Sequence, residues 1–156
     1  MFQNIDINLI DIPKHIPKFI EIKKSKIHGL GAYAKKDIPH GTFLGNYMGK
    51  INKEVITGPY IFHSIRNEGI ISIDATKKTQ SNWTRYMNCS NQHQTENVTS
   101  FYLTNKEDYI KNNKKVNLEG YIVFYSNRDI QKGEELLYYY GDNYAEMLNI
   151  DYKLKN

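Results

Sequence analysis

The sequence contains few of the residues that build covalent cross-links or membrane spans. Of its 156 residues, one is cysteine, four are proline and one is tryptophan. The single cysteine, Cys89, excludes an internal disulfide and a zinc site built from several cysteines, and the histidines lack metal-ligand spacing. No apolar run approaches the roughly 20 residues that a membrane span requires. We therefore expect a reducing, intracellular setting, no metal site and no membrane contact.

The charge of the chain is nearly balanced. Its 21 basic and 17 acidic residues leave a formal net charge of +4. The lysines are scattered in pairs, and no segment resembles a recognition helix or a basic strip interleaved with aromatic residues, so we expect no direct nucleic-acid site. Residues 1–15 carry acids where a signal peptide carries bases, so we also expect no secretion signal.

Short runs rich in Ile, Val, Tyr and Phe, bounded by Gly, Pro, Asn or Asp, indicate a mostly β domain. Helical periodicity occurs in two places, where Ser81 or Asn82 can cap a short helix and where Asp142 begins a C-terminal tail, 142–156. The polar segment 104–117 is predicted to be an inserted surface loop. The whole chain, 1–156, is predicted to be one domain. Its strand-like runs are 19–24, 41–51, 60–65, 70–75, 98–103, 120–130 and 134–141.

The stretch KIHGLGAYAKK, residues 26–36, places Gly29, Gly31 and Ala34 in the spacing G-x-G-x-x-A. In a Rossmann fold this spacing surrounds a dinucleotide pyrophosphate and opens a helix. Here Pro39 and Gly41 follow too soon for a helix of three turns, which argues against a dinucleotide site. Two glycines this close still indicate a tight turn or a close approach of the main chain to a ligand.

Three segments, in order, resemble the motifs of SET domains. KIHGLGAYAKKDIPHGTFLGNYMG resembles the opening motif, and SNWTRYMNCS resembles the central motif in the form N-W-M-R-Y-V-N-C of the PR subgroup. YSNRDIQKGEELLYYYGDNYAEML resembles the closing motif R-D-I-x-x-G-E-E-L-x-x-x-Y-G. The chain is thus similar to PR/SET proteins, with a core at about 20–148. This implies a β-clip fold of several small sheets, short helices and a knot-like passage of the closing segment beside the central motif.

The resemblance implies an S-adenosylmethionine-dependent protein-lysine N-methyltransferase. The implied substrate is a lysine-containing protein or peptide, above all a histone tail, and the implied location is the nucleus or chromatin. The alternative is a catalytically weak PR/SET-like module that serves protein interactions in chromatin regulation. Implied catalytic residues are Tyr47, Tyr138 and Tyr140. Implied cofactor-binding residues are Lys26, His28, Gly29, Leu30, Gly31, Tyr60, Arg85, Asn88, Cys89 and Tyr140.

The chemistry of methyl transfer is consistent with this set of residues. The reaction is an in-line displacement at a sulfonium, which requires alignment and exclusion of water. The attacking amine must be neutral, and a desolvated aromatic channel lowers the pKa of lysine. The 13 tyrosines suit such a channel, although tyrosines that alternate in strands also serve as packing. We expect Arg85 to hold the central motif, Glu134 and Glu135 to be turn and salt-bridge residues, and the C-terminal helix or a partner to close the channel.

Overall fold

A computed structural model describes residues 4–90, 96–104 and 108–139. The predicted C-terminal tail and Tyr140 lie outside these ranges. The described residues form twelve strands and three 3-10 helices, Ile7–Leu9, Lys78–Gln80 and Trp83–Tyr86. In chain order the strands are β1 (Ile20–Lys24), β2 (Leu30–Ala34), β3 (Phe43–Asn46), β4 (Lys50–Asn52), β5 (Ile61–Arg66), β6 (Gly69–Asp74), β7 (Asn88–Cys89), β8 (Val98–Tyr102), β9 (Asp108–Lys111), β10 (Lys114–Asn117), β11 (Ile122–Ser126) and β12 (Leu137–Tyr138).

The strands form several small sheets. Two are antiparallel pairs, β1-β2 and β9-β10, and two have three strands in the orders β3-β11-β8 and β4-β6-β5. The remaining pair, β7-β12, is parallel and joins the central and closing segments of the sequence. The prediction of a mostly β fold with short helices and several small sheets is confirmed. The helices within the described ranges have three or four residues each, and none of them could span a membrane.

Strand β11 is the buried central strand of one three-stranded sheet. All five of its residues are buried, and it lies between β3 and β8. A strand that is buried on both of its faces has a nearly continuous apolar sequence, and the sequence IVFYS is close to this pattern. Its Phe124 is fully buried and packs in the main core with Trp83, Leu44 and Leu136.

The short helix of the central segment confirms the capping prediction. Asn82 precedes the 3-10 helix Trp83–Tyr86, and its side-chain oxygen accepts a hydrogen bond from the backbone N–H of Thr84. Trp83 and Met87 are both buried in the main core, with 2% and 1% of their surface exposed. The cap and the two apolar anchors fix the direction in which the chain enters β7.

The prediction of a loop over 104–117 is wrong for residues 108–117, which form the antiparallel hairpin β9-β10. Asn112 and Asn113 make the turn with φ of 51° and 61°, the left-handed conformation that two-residue hairpin turns require. Tyr109 and Val116 face each other across the strands and pack against a second buried cluster that contains Ile10 and Val123. The lysines and asparagines of the segment conceal this alternation in the sequence.

Candidate functional site

The glycine-rich stretch forms the turn between β1 and β2. Ser25 donates its backbone N–H to the carbonyl of Gly29 at 2.8 Å, and Gly29 has a φ of 48°. The Ser25 hydroxyl oxygen accepts the backbone N–H groups of Ile27 and His28 at 2.9 and 3.3 Å. The turn therefore holds its shape by internal hydrogen bonds. Its exposed residues are four of the predicted cofactor-binding residues, Lys26, His28, Gly29 and Leu30.

The side chain of Asn88 connects the central segment to this turn. Its amide nitrogen donates to the carbonyl oxygens of His28 and Leu30, at 3.0 and 3.1 Å, and to Oε1 of Glu135 at 3.0 Å. These three acceptors define the orientation of the amide. Among the described residues, all of its contacts use the nitrogen, so the amide oxygen Oδ1 remains an acceptor for a donor from outside.

Glu135 lies at the centre of the same network. Its carboxylate accepts the hydroxyl of Ser25 at 2.7 Å, the amide of Asn88, and the hydroxyl of Tyr33 at 3.2 Å. A Cβ atom on Gly31 would overlap Oε1 of this carboxylate and lie 3.0 Å from Cδ. Burial raises the pKa of Tyr33, and the negative charge of Glu135 raises it further. The missing side chain at Gly31 therefore makes room for a carboxylate.

The expected turn and salt-bridge role is correct for Glu134 and wrong for Glu135. Glu134 pairs with Arg128 at 3.1 Å and accepts the backbone N–H of Gln131. The hydrogen bond from Arg128 holds the pKa of Glu134 below its ordinary value. Glu135 instead accepts hydrogen bonds from neutral groups, because its side chain lies under the β1-β2 turn.

The parallel pair β7-β12 brings the central and closing segments together. Asn88 is paired with Leu137, and Cys89 with Tyr138. The buried side chain of Asn97 clamps β12, donating to the carbonyl of Glu135 at 2.9 Å and accepting the N–H of Leu137 at 2.8 Å. This is the juxtaposition that the predicted passage of the closing segment requires.

Two of the predicted catalytic tyrosines belong to one aromatic cluster, Tyr47, Phe62, Phe124 and Tyr138. Tyr47 and Tyr138 are 5% and 4% exposed. Tyr138 lies 5.1 Å from Phe124 and is stacked on Phe62 at 6.2 Å, measured between ring centroids. The ring of Tyr47 lies 5.4 Å from that of Phe62, and its hydroxyl donates to the carbonyl of Tyr60 at 2.8 Å. The cluster is part of the main core, beside β7-β12.

Arg85 and Tyr60 form a stacked pair beside this cluster. The guanidinium of Arg85 lies 4.1 Å from the ring centroid of Tyr60, and it donates to the carbonyls of Ala75 and Thr76 at 2.9 and 3.1 Å. Arg85 is buried and all of these contacts are internal, which suits its expected role of holding the central motif. Cys89 is buried too, and its thiol donates to the carbonyl of Ser90.

Sequence reasoning missed four residues of the polar network: Ser25, Tyr33, Asn97 and Glu135. Glu135 had a signal, since the closing motif carries two adjacent acids and only one was needed for the partner Arg128. The other three have no local signal. Each contacts residues far away in the sequence, as Ser25 does with Glu135.

Comparisons with known proteins agree with this architecture. The family model of the PR domain of PR domain zinc finger protein 2 matches residues 18–151. The human histone-lysine N-methyltransferase PRDM7 is 28% identical over an alignment of 127 residues that covers 78% of this chain and 23% of PRDM7. The solved methyltransferase domain of human PR domain-containing protein 2 has a TM-score of 0.64 at 24% identity, over 81% of this chain and 79% of that one.

These findings differ in what they establish. The solved structure supports the SET-like fold. The chain spans only 23% of the length of the curated relative, so the activity of that whole protein does not transfer with the match. The family model covers well over half of the chain. The chain therefore belongs to the PR domain family, the PR/SET type of SET domain.

Proposed function

We propose that this protein is an S-adenosylmethionine-dependent protein-lysine N-methyltransferase that acts on a histone tail lysine, in the nucleus or on chromatin. One observation carries the proposal. The β7-β12 pair places a polar network with a free amide oxygen, on Asn88, next to a buried aromatic cluster that contains Tyr138. A lysine methyltransferase needs both environments side by side.

The polar network suits the cofactor, which carries an ammonium and a sulfonium. Oδ1 of Asn88 would accept a hydrogen bond from the ammonium, and four of the five residues in the turn Lys26–Leu30 are exposed to a ligand. The remaining proposed contacts are Gly31, the ring of Tyr60, Arg85, the main chain of Cys89, and Tyr140. When bound, the cofactor supplies an activated methyl group.

The aromatic cluster suits the lysine. Its rings remove water from the side chain of the substrate, which favours the neutral amine that must attack. The hydrogen bond from Tyr47 to the carbonyl of Tyr60 fixes the ring of Tyr47. Tyr47, Tyr138 and Tyr140 are the proposed catalytic residues, with the role of Tyr140 inferred from its position in the closing motif.

Calorimetric titration with S-adenosylmethionine tests the cofactor site. We expect the parent protein to bind it and Asn88→Ala to weaken binding by about tenfold or more, since a hydrogen bond to a charged group is lost. Asn67→Ala, in the exposed β5-β6 turn, is the matched control and should bind as the parent does. Absence of binding by the parent would contradict the proposal.

A methylation assay on histones and peptide arrays, read by mass spectrometry, tests the reaction. We expect the rate to rise from neutral toward alkaline pH, because the amine must lose a proton. The alternative function, a protein-interaction module in chromatin regulation, predicts no methylated product on any peptide. A sharp optimum near pH 6 would implicate a histidine and contradict the aromatic-channel mechanism.

A further inference from the structure

We propose that Glu135 positions Asn88 and the glycine turn, and that its charge makes this site prefer the cationic S-adenosylmethionine over the neutral-sulfur product. The proposal rests on the proposed function, because it concerns the ligands of that reaction. It assigns a specificity-determining role to a carboxylate that belongs to neither the predicted catalytic set nor the predicted cofactor-binding set.

Glu135 ties three segments of the chain together. Its carboxylate accepts from Ser25, which shapes the turn, and from Asn88, which holds the carbonyls of His28 and Leu30. Without the carboxylate, the amide of Asn88 loses one of the three acceptors that define its orientation. Glu135 therefore acts together with the two carbonyls to fix where Oδ1 of Asn88 points.

The space for this carboxylate is built into the fold. Gly31 is buried in β2 and lacks a positive φ, so its conformation does not require glycine. A Cβ atom there would overlap Oε1 of Glu135. Glycine at this position therefore serves the carboxylate, in contrast to Gly29, whose φ of 48° favours glycine for its backbone.

Within the described ranges, the charge of Glu135 has no counterion. Its partners, Ser25, Tyr33 and Asn88, are neutral, and among the described residues no basic side chain forms an ion pair with it. Lys23 lies 4.5 Å from the ring centroid of Tyr33, but it pairs with Glu21 at 3.7 Å. A partly buried carboxylate thus presents net negative charge beneath the turn.

The negative charge of Glu135 would distinguish S-adenosylmethionine from the product that forms when its methyl group is transferred. When a neutral lysine amine takes the methyl group, the carbon–sulfur bond breaks, a carbon–nitrogen bond forms, and the positive charge passes to the nitrogen. The sulfur is left as a neutral thioether, while the ammonium and carboxylate of the cofactor are unchanged. A negative charge near the site therefore favours the sulfonium form and aids exchange of product for fresh cofactor.

The test compares Glu135→Gln with the adjacent control Glu134→Gln by calorimetry with S-adenosylmethionine and S-adenosylhomocysteine. We expect Glu135→Gln to reduce the preference for the cation by about three- to tenfold, the range between a screened charge pair and a partly desolvated one. The control should keep the preference of the parent. High salt should reduce the ratio of the affinities for S-adenosylmethionine and S-adenosylhomocysteine more in the parent than in Glu135→Gln.

A second comparison tests the space that Gly31 leaves for the carboxylate, separately from the charge of the carboxylate. Gly31→Ala should displace the carboxylate and weaken cofactor binding in the parent, yet cost little further affinity in a Glu135→Ala background, where the space is open. An unchanged preference in Glu135→Gln, or an equal cost of Gly31→Ala in both backgrounds, overturns the inference and leaves the methyltransferase proposal standing. A parent protein that binds neither ligand overturns both.

Discussion

The polar network around Glu135 and the aromatic cluster around Tyr138 are built by opposite means. The network is partly exposed and is held by directional hydrogen bonds between residues far apart in sequence, such as Ser25 and Glu135. The cluster is buried and is held by packing of rings. A cationic ligand is bound by acceptors and negative charges in fixed positions. A lysine that must lose its proton is favoured by apolar surroundings that exclude water.

One short element aligns the two regions. In β7-β12, Asn88 pairs with Leu137 and Cys89 pairs with Tyr138. Side chains of consecutive strand residues point to opposite faces, so a shift by one residue would exchange the faces on which they lie. The register of this two-residue pair therefore decides whether the polar network lies next to the aromatic cluster. The hydrogen bonds of Asn97 to the backbone of Glu135 and Leu137 hold that register.

The largest difference between the two regions should appear in stability. Phe124→Ala removes a fully buried ring and should lower the free energy of unfolding by about 3–5 kcal/mol, whereas Ser25→Ala, which removes a hydroxyl, should lower it by about 1–3 kcal/mol. Denaturant unfolding measures both. Phe101→Ala, at a residue that is 39% exposed, is the control and should cost less than Phe124→Ala. Equal losses for the two phenylalanines would show that the cluster is not a rigid core.

A smaller change in the cluster should alter the product and leave the fold intact. Tyr138→Phe removes a hydroxyl that can hold a water in the space a further methyl group would occupy, so the product should shift toward higher methylation. The parent should accordingly favour mono- or dimethylation. Mass spectrometry of the methylated peptide measures the shift, with Tyr102→Phe, at a residue that is 53% exposed, as the control. If the parent already trimethylates efficiently, Tyr138 does not have this role.

The smallest effect concerns the surface pair beside the network. Arg128 lowers the pKa of Glu134, so the pair stabilises the fold above the unfolded value of 4.5, and this contribution is lost as the pH falls through the lower folded pKa. Because both side chains are more than a third exposed, at 46% and 35%, the loss should be at most about 1 kcal/mol. Urea unfolding of the parent and Glu134→Gln at pH 7 and pH 3 measures it. A difference between the two proteins that is the same at both pH values would argue against the pair.

Much of the fold follows from local patterns. Each of the seven strand-like runs overlaps at least one strand, as 60–65 does with β5, and Asn82 caps its helix as predicted. Those patterns act over a few residues, through alternation, turn geometry and capping. The hairpin β9-β10 was missed because only Tyr109 and Val116 mark its buried face among charged neighbours.

The sequence by itself determined most of the strands, the cap of the central helix and the order of the three motifs, and the family resemblance follows from that order. The tertiary structure decided that one of two adjacent acids, Glu135, lies under Gly31 while the other, Glu134, remains at the surface with Arg128. It also decided that Asn88 donates to the glycine turn and that Asn97 holds β12. Side-chain hydrogen bonds between residues that are distant in sequence have no period to detect, since they depend on how whole segments pack.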